Sequence, residues 1–369
     1  MSGPVRVGFV GCGQIAQAHL ATYQKVPNVQ VVALCDIDES RLNASSEKFG
    51  VAPENRYTKY REMLKRDDLD AIDVCLHNNL HMPATVLGLE SGRHVYCEKP
   101  MAGCYRDAAK MLETAQKTGR KLHIQLGMIY SAEARAAREL IEAGELGHIY
   151  HARSTGHRRR GRPYVDGYGS PNFVNKKISA GGALYDMGVY HISQLLYLLG
   201  NPKVERVTGK TYAEMPMSEK RAREAGWSVE ELGLGFVRFA GNLSMDIIEA
   251  WSIHLDTLEG SSIVGSKGGV RLAPFGFFRS YGHLDLNGGG SMDAAKFRWT
   301  NVEGDWGLYQ SSQHHWIAAL RGEAALLPTA EIALNTMLIQ EAIYLSEKLG
   351  REVTADEVKE KSLSLAVEV

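Results

Sequence analysis

The sequence has few cysteines, and their spacing does not match a disulfide framework or a zinc site. Only five of the 369 residues are cysteine. They are Cys12, Cys35, Cys75, Cys97 and Cys104. All five lie in the first third of the chain, mostly in or beside predicted strands, and no two form a C-x-x-C pair. This pattern favours reduced, buried side chains in a cytoplasmic protein, and we expect no metal site.

Long apolar runs and an excess of charge are also absent. No apolar segment approaches the length that crosses a membrane, and the first residues do not resemble a signal peptide. The 42 basic and 43 acidic side chains give a formal net charge of −1. This balance predicts no attraction to nucleic acid or to an anionic membrane. A chain of this length should instead form two domains, each with its own core.

The N-terminal segment has the pattern of a strand, a glycine turn and a helix. Residues 5–10, VRVGFV, predict a buried strand, and G-C-G-Q-I-A follows at 11–16. This is G-x-G-x-x-[G/A] in the context that gives the motif its meaning. Gly11 would permit the tight turn, and Gly13 would let the backbone approach a pyrophosphate. The free N–H groups at the start of the helix would bind that group, so Gln14 and Ile15 are also cofactor-binding candidates.

Asp36 predicts NAD rather than NADP as the cofactor. It follows the second predicted strand, 29–35, at the place where a carboxylate would accept hydrogen bonds from the adenosine ribose. A carboxylate there would repel a 2′-phosphate, and the nearest positive charge is Arg41. The alternative is a structural strand–helix–strand turn with an incidental aspartate.

The order of the remaining segments predicts two architectures. Residues 1–123 alternate strands and helices, which is typical of an α/β Rossmann domain with a doubly wound parallel sheet. Residues 124–369 hold consecutive strands, which predict an α+β domain with a large, open, mostly antiparallel sheet. Helices would cover one face of that sheet and leave apolar strands on the other. We therefore expect a homodimer or a homotetramer.

Four further segments resemble the Gfo/Idh/MocA oxidoreductases, the family of glucose–fructose oxidoreductase and inositol dehydrogenase. They are GRHVYCEKP at 92–100, GGALYDMGVY at 181–190, GSKGG at 265–269 and PTAE at 328–331. The resemblance covers almost the whole chain. It implies a nicotinamide cofactor and hydride transfer on a sugar, a cyclitol or a diol.

The resemblance implies a catalytic lysine in the E-K-P segment. Lys99 would lie at the carboxyl end of a central strand, beside the nicotinamide, where an ammonium can stabilise negative charge on the reacting oxygen. The positive nicotinamide would depress the pKa of this lysine. Glu98 and Lys99 are also cofactor-binding candidates. The alternative is a surface lysine paired with Glu98.

Asp186 and Tyr190 complete the predicted catalytic group. They are four residues apart on a predicted helix, 183–199, and would share a face. Tyr190, with an ordinary pKa of about 10, would need Lys99 and the nicotinamide charge to act as a base near neutral pH. His191 would point about 140° away from Asp186 at 3.6 residues per turn. It is a packed or capping histidine or, alternatively, a catalytic residue or a substrate contact.

A family motif that usually reads T-P-N-x-x-H is altered in this chain. Asn78 and His81 match it, whereas Leu76 and His77 replace the Thr-Pro pair. The turn would lie beside the cofactor, so all four residues are cofactor-binding candidates. For His77, a solvent-exposed loop position is an equal alternative.

One dense basic cluster, HRRRGRP, occupies residues 157–163. It follows the first strand of the second domain, where substrate-binding loops would lie. Arg158, Arg159 and Arg162 could bind a carboxylate, a phosphate or sugar hydroxyls. A solvated loop or an oligomer contact is the alternative. Further cleft candidates, each also compatible with a core position, are Trp251, His254, Trp306, His315 and Trp316.

These features predict an NAD-dependent dehydrogenase that oxidises a secondary hydroxyl of a sugar, glycoside or cyclitol. One alternative is an enzyme that keeps NAD bound and cleaves glycosides through transient oxidation. Another is a non-catalytic, dinucleotide-sensing regulator with the same fold, although the presence of Lys99, Asp186 and Tyr190 argues against it.

Overall fold

The computed structural model describes residues 3–369, and its first part is an α/β domain with a six-stranded sheet. The strands are β1 (Val5–Val10), β2 (Val29–Cys35), β3 (Arg56–Tyr57), β4 (Ala71–Val74), β5 (His94–Cys97) and β6 (Leu122–Ile124). The helices are α1 (Gln14–Tyr23), α2 (Glu39–Phe49), α3 (Tyr60–Met63), α4 (Asn78–Glu90) and α5 (Tyr105–Thr118). All strand pairs are parallel, as predicted. The central strands are buried on both faces, which explains their nearly continuous apolar sequences.

The strand order of this sheet places the candidate residues at one edge. The order is β3-β2-β1-β4-β5-β6. Successive strands are therefore added on one side of β1 up to β3 and on its other side from β4 onward, which makes the gap between β1 and β4 the topological switch point. Gly11, Asp36, Cys75 and Glu98 directly follow β1, β2, β4 and β5, respectively. Ligands of doubly wound sheets bind at this carboxyl edge, near the switch point.

The second part of the chain forms a nine-stranded sheet. Its strands are β7 (Ile149–His157), β8 (Val204–Tyr212), β9 (Leu232–Phe239), β10 (Ser244–Ala250), β11 (Ser262–Gly265), β12 (Gly269–Arg271), β13 (Gly276–Tyr281), β14 (Leu284–Gly288) and β15 (Val353–Thr354). The order is β14-β13-β12-β11-β7-β10-β9-β8-β15. Only β7 and β10 pair in parallel, so the prediction of a mostly antiparallel sheet is confirmed.

Helices cover one face of this sheet. The helices of the second part are α6 (Ala132–Glu142), α7 (Lys176–Ser179), α8 (Val189–Leu198), α9 (Glu219–Ala225), α10 (Met292–Arg298), α11 (Ser312–Arg321), α12 (Thr329–Leu349) and α13 (Ala355–Lys361). The long helix α12 packs on β8 and against α8 and α5. Toward the β14 edge, Tyr281, Leu284 and Leu286 remain exposed. An exposed apolar edge is compatible with the expected homo-oligomer, which stays a prediction.

The structure differs from the sequence-based expectation in the helix that carries Asp186. The predicted helix 183–199 is a π-helix, Leu184–Gly188, followed by α8. Trp316, on α11, is fully buried in the hydrophobic core beside β1 of the first domain, so this part of the chain returns to the Rossmann sheet. The last residues lie against the first domain, where the Leu365 amide donates to Asp107 and the Val367 amide donates to the Asn79 carbonyl oxygen.

None of the helices in the described part of the chain has both the length and the apolar character needed to cross a bilayer.

Candidate active site

The glycine turn after β1 is shaped to admit a phosphate group. Gly11 has a φ of +92°, and a Cβ at this position would overlap the carbonyl oxygen of Cys75. A Cβ on Gly13 would instead meet no atom within 4 Å, because this side of the turn is open. Gly13 caps α1 without a side-chain hydrogen bond, so the first N–H groups of the helix have no capping side chain. Gln14 and Ile15 are exposed there, and this open cradle fits a dinucleotide pyrophosphate.

Asp36 is held beside this turn. One carboxylate oxygen accepts from the Cys12 amide at 2.7 Å, and the other accepts from the Asp38 amide at 2.8 Å. Each carboxylate oxygen can accept more than one hydrogen bond, so the group can also accept from ribose hydroxyls. The positive charge of Arg41 is paired with Asp38 at 3.1 Å. This arrangement supports the preference for NAD.

The contribution of the Asp36 charge to cofactor preference can be tested with a neutral side chain of the same shape. We expect Asp36→Asn to narrow the gap between NAD and NADP affinity, because the amide no longer repels a 2′-phosphate and still accepts a hydrogen bond. Titration calorimetry with both dinucleotides measures the gap. Equal affinity of the parent protein for NAD and NADP would contradict the role assigned to Asp36.

Lys99 meets the two other predicted catalytic residues across the domain boundary. Its Nζ donates to Asp186 Oδ1 at 2.9 Å and to the Asp186 carbonyl oxygen at 3.2 Å. The same Nζ lies 4.4 Å from the centroid of the Tyr190 ring. The second oxygen of Asp186 accepts from Trp251 Nε1 at 2.9 Å. Trp251 is fully buried, so Asp186 is fixed from two sides and in turn fixes the ammonium of Lys99.

The π-helix explains how Asp186 is presented. Its start is anchored by Glu230, whose carboxylate accepts from the amides of Gly182 and Leu184, each at 3.0 Å. A Cβ on Gly182 would overlap the Glu230 carbonyl oxygen, so position 182 requires a glycine. A π-helix bonds residue i to i+5 and is frequent at functional sites.

The π-helix changes the helix geometry that was assumed for His191, and the structure packs this residue against a buried carboxylate. The angle of 140° assumed 3.6 residues per turn, which does not hold across residues 184–188. His191 Nδ1 lies 3.1 and 3.0 Å from the two oxygens of Glu249, which is fully buried on β10. Ser154 donates to the same carboxylate at 2.8 Å. A Cβ on Gly156 would overlap the His191 ring, so that glycine makes room for the pair.

The electrostatic environment determines which groups carry protons. Burial acts to lower the pKa of Lys99, but the effects of Asp186, Tyr190 and Glu98 together outweigh burial, and the pKa is raised. Burial raises the pKa of Tyr190 despite the nearby ammonium. Burial acts to lower the pKa of His191, but Glu249 raises it above its ordinary value. Without a cofactor, Lys99 and Tyr190 therefore both hold their protons at neutral pH.

Several predicted cofactor-binding side chains are hydrogen-bonded within the protein. Both ring nitrogens of His81 are bonded, Nδ1 to the Pro100 carbonyl at 2.8 Å and Nε2 to the Leu76 carbonyl at 3.1 Å. Asn78 Nδ2 donates to the Ser179 carbonyl at 2.7 Å. Glu98 is buried and accepts from the Lys99 amide. These hydrogen bonds hold neighbouring loops together, and direct contact of these three residues with the cofactor stays a prediction.

The two neighbouring turn residues lie differently. His77 is exposed at the start of α4, with its Nε2 3.1 Å from Asn172 Nδ2. The side chain of Leu76 is half-buried and borders Gly11. Both positions are compatible with contact to a dinucleotide, and these assignments stay predictions.

The basic cluster divides into a buried and an exposed part. Arg162 is completely buried, and its guanidinium is bonded to Asp166, to Glu231 and to two carbonyl oxygens. This corrects the expectation that Arg162 reaches a substrate, because no N–H group is free. Arg158 is exposed, lies 5.6 Å from the Tyr168 ring centroid, and its charge helps to lower the pKa of Asp186.

The remaining candidates lie in different places. Arg159 and His254 are exposed, and the Arg159 side chain reaches the Leu255 carbonyl at 3.4 Å. His315 is fully buried, and its Nε2 accepts from the Leu327 amide. Trp306 stacks on Trp299 and does not line the site around Lys99. Of the aromatic candidates, Trp251 alone contacts a predicted catalytic residue, as described for Asp186 above.

The chain is similar to known sugar dehydrogenases. The chain is 28% identical to D-glucoside 3-dehydrogenase from Escherichia coli over 360 residues, which cover 95% of this chain and 98% of the relative. It is 25% identical to D-apiose dehydrogenase from Paraburkholderia graminis, over 94% of this chain and 88% of the relative. The WlbA dehydrogenase of Bordetella pertussis, solved with NADH and UDP-GlcNAcA, has the same fold, with a TM-score of 0.76. It is 22% identical, over 96% of this chain and 98% of that structure.

Two family descriptions match most of the chain and confirm the resemblance seen in the motifs. Residues 5–126 match the oxidoreductase family with an NAD-binding Rossmann fold. Residues 134–271 match the GFO/IDH/MocA C-terminal domain. The chain is therefore an NAD-binding oxidoreductase that belongs to the GFO/IDH/MocA family.

Proposed function

We propose that the protein oxidises a secondary hydroxyl of a sugar, glycoside or cyclitol with NAD, and that Lys99 and Tyr190 lie beside the reacting oxygen. The observation that carries this proposal is the ammonium of Lys99, which Asp186 holds at the carboxyl end of β5. This end of β5 shares the sheet edge with the glycine turn. D-glucosides are the first substrates to test, because the E. coli relative that aligns over 95% of the chain is a D-glucoside 3-dehydrogenase.

The chemistry follows from the hydrogen-bond donors at the site. NAD, when bound, supplies the hydride acceptor at this edge of the sheet. Lys99 donates a hydrogen bond to the reacting oxygen and stabilises the negative charge that develops on it. The Tyr190 hydroxyl is a second donor to the same oxygen. Asp186 fixes the ammonium in place, and Trp251 fixes Asp186.

Proton transfer links this site to pH. In the oxidation direction Lys99, once deprotonated, accepts the hydroxyl proton, whereas in ketone reduction its ammonium donates one. Lys99 has a raised pKa and remains protonated at neutral pH in the protein alone. A positive charge bound beside Lys99 would lower that pKa and favour proton acceptance.

A rise in pH should therefore have opposite effects on the rates of alcohol oxidation and ketone reduction. We expect kcat/KM for alcohol oxidation to rise from neutral to alkaline pH, because the deprotonated fraction of a raised-pKa group grows with pH. Reduction of the ketone product should slow over the same range. Initial rates in both directions measure this, and oxidation that is fastest in acid would contradict the assignment.

The proposed function itself is tested with a substrate panel. Purified protein is incubated with NAD and with D-glucosides, aldoses or cyclitols, and reduced nicotinamide is followed by absorbance. We expect sustained formation of NADH and of a keto-sugar with at least one glycoside or sugar. Cleavage of a glycoside without net NADH would indicate transient oxidation. Absence of any turnover, with NAD still bound, would support a sensing role.

The basic cluster gives a prediction with its own control. We expect Arg158→Ala to raise KM for the substrate and to leave NAD affinity unchanged, because Arg158 is exposed on the side of Asp186. Arg162→Ala should instead destabilise the protein by about 3–5 kcal/mol, because it leaves buried carboxylates unpaired. Steady-state kinetics and thermal denaturation separate the two. If Arg158→Ala and Arg159→Ala both leave KM unchanged and one alters oligomer size, the loop is an oligomer contact.

A further inference from the structure

A buried histidine connects the cofactor-binding helix to the strand end that carries Lys99. His19 lies on α1 and its side chain is 2% exposed. Its Nδ1 is 3.1 Å from both oxygens of Asp73, on β4. Its Nε2 is 2.8 Å from Oε1 of Glu98, which directly follows β5. One imidazole ring therefore bridges two carboxylates that come from neighbouring strands.

This bridge continues to the backbone of Lys99. The second oxygen of Glu98 accepts from the Lys99 amide at 2.8 Å. The Glu98 amide is still paired with β4, through the Val74 carbonyl oxygen at 3.0 Å. Lys99 is the first residue beyond that pairing. The Lys99 amide therefore donates to the Glu98 carboxylate, where an amide within the sheet would donate to a neighbouring strand.

The protonation state of the bridge follows from its partners. Each ring nitrogen faces a carboxylate, and only a doubly protonated imidazole can donate at both. Burial acts to lower the pKa of His19, but its contacts with Cys75 and Asp73 raise it well above the ordinary value. The Cys75 thiol, 3.4 Å from Nδ1, also lies 3.2 Å from Asp73. His19, Asp73 and Cys75 are close enough to hold a metal ion, but they are already hydrogen-bonded to one another.

We propose that His19 is a positioning residue for Lys99. By fixing the carboxylate of Glu98, it fixes the Lys99 amide, and with it the path of the side chain to Asp186 and Tyr190. The proposal rests on the function proposed above for Lys99. It adds that the helix predicted to bind the pyrophosphate is mechanically connected to the catalytic lysine.

Two substitutions of His19 each keep one of its two hydrogen bonds to a carboxylate, which are the two arms of the bridge. In His19→Gln the side-chain nitrogen takes the place of imidazole Nε2 and keeps the donor to Glu98. In His19→Asn it takes the place of Nδ1 and keeps the donor to Asp73. A purely structural role predicts a similar loss for both, because each variant keeps one arm and loses the positive charge.

We expect His19→Asn to lower kcat by roughly 10²-fold, the cost of misplacing a catalytic group by about 1 Å. His19→Gln should keep most of kcat, and KM and NAD affinity should change little in either variant. Hydrogen exchange of the Lys99 amide, measured without cofactor or substrate, should be faster in His19→Asn than in His19→Gln. This readout remains valid if no substrate is found, so the two proposals can fail separately.

Parental kcat and parental Lys99 amide exchange in His19→Asn would overturn the proposal, as would equal losses in both variants. If neither variant folds, Glu98→Gln serves instead, because its single carbonyl oxygen replaces two carboxylate acceptors. Cys75→Ser is the matched control, since it contacts Asp73 and His19 but not Glu98. We expect Glu98→Gln to lower kcat and to speed exchange of the Lys99 amide, while Cys75→Ser changes neither. Parental behaviour of Glu98→Gln would overturn the proposal.

Discussion

Lys99→Met should lower kcat by roughly 10²-fold or more, the usual contribution of a positioned acid–base group. Methionine keeps the apolar stem of lysine and removes the ammonium that Asp186 holds at 2.9 Å. NAD affinity should change little, because the proposed pyrophosphate site lies in the glycine turn and not at Lys99. Steady-state kinetics with NAD titration measures both effects. Parental kcat in Lys99→Met would exclude the lysine from the chemical step.

Substitutions of the adjacent residues Tyr190 and His191 test which of them acts with Lys99 in proton transfer. We expect Tyr190→Phe to lower kcat to a similar extent, because it removes only the hydroxyl and keeps the ring that packs against Lys99. His191→Gln should be milder, because the imidazole is bonded to Glu249 and not to Lys99. If His191→Gln abolishes turnover while Tyr190→Phe does not, the proton passes through the His191–Glu249 pair.

Gly11→Ala should abolish NAD binding and destabilise the fold. Its φ of +92° would strain an alanine by about 1–3 kcal/mol, and the new Cβ would overlap the Cys75 carbonyl. The turn must shift to relieve this overlap, and the N–H groups of α1 would move with it. Calorimetric NAD titration and thermal denaturation measure the two losses.

Two other glycines are matched controls for this change. Gly119→Ala also places an alanine at positive φ, +65°, but in open space, so we expect a small loss of stability and normal NAD binding. Gly13→Ala should fold normally, because its Cβ meets no protein atom, and should still weaken NAD binding by occupying the space of the pyrophosphate. Parental NAD affinity in Gly11→Ala would contradict the assigned cradle.

Local patterns were sufficient to predict the fold and part of the site. The strand–glycine–helix pattern at residues 5–16 predicted the cofactor domain, because the conformation of Gly11 is determined over a few residues. Lys99, Asp186 and Tyr190 were predicted to act together, and the structure brings them into contact. This grouping came from the family resemblance, since nothing in their spacing along the chain shows that residues 99 and 186 meet.

The parts that could not be predicted depend on contacts between distant segments. Glu249, on β10, orients His191. Trp251, the residue directly after β10, orients Asp186. A buried glutamate in an apolar strand gives no periodic signal that identifies its partner. His19 lies on an apolar helical stretch, and the sequence alone does not show its hydrogen bond to Glu98, because that contact depends on how the strands pack.

Local rules also failed where tertiary contacts override them. The π-helix at residues 184–188 depends on the anchoring of Gly182 by Glu230, whereas the helical periodicity of the sequence predicted 3.6 residues per turn. Arg162 is in an exposed-looking basic run, but buried partners, Asp166 and Glu231, enclose it. Strand β14 is exposed along its whole length and therefore lacks the alternation that indicates a half-buried strand.

Hydride transfer to NAD at the Lys99 site is tested most directly with a deuterated substrate. The protein is incubated with NAD and an alkyl glucoside deuterated at every ring carbon, and the reduced cofactor is analysed by mass spectrometry. We predict reduced cofactor that is one mass unit heavier than NADH in the parent protein and almost none in Lys99→Met, although that variant still binds NAD. Reduced cofactor without deuterium, or labelling at the parental rate in Lys99→Met, would contradict the account.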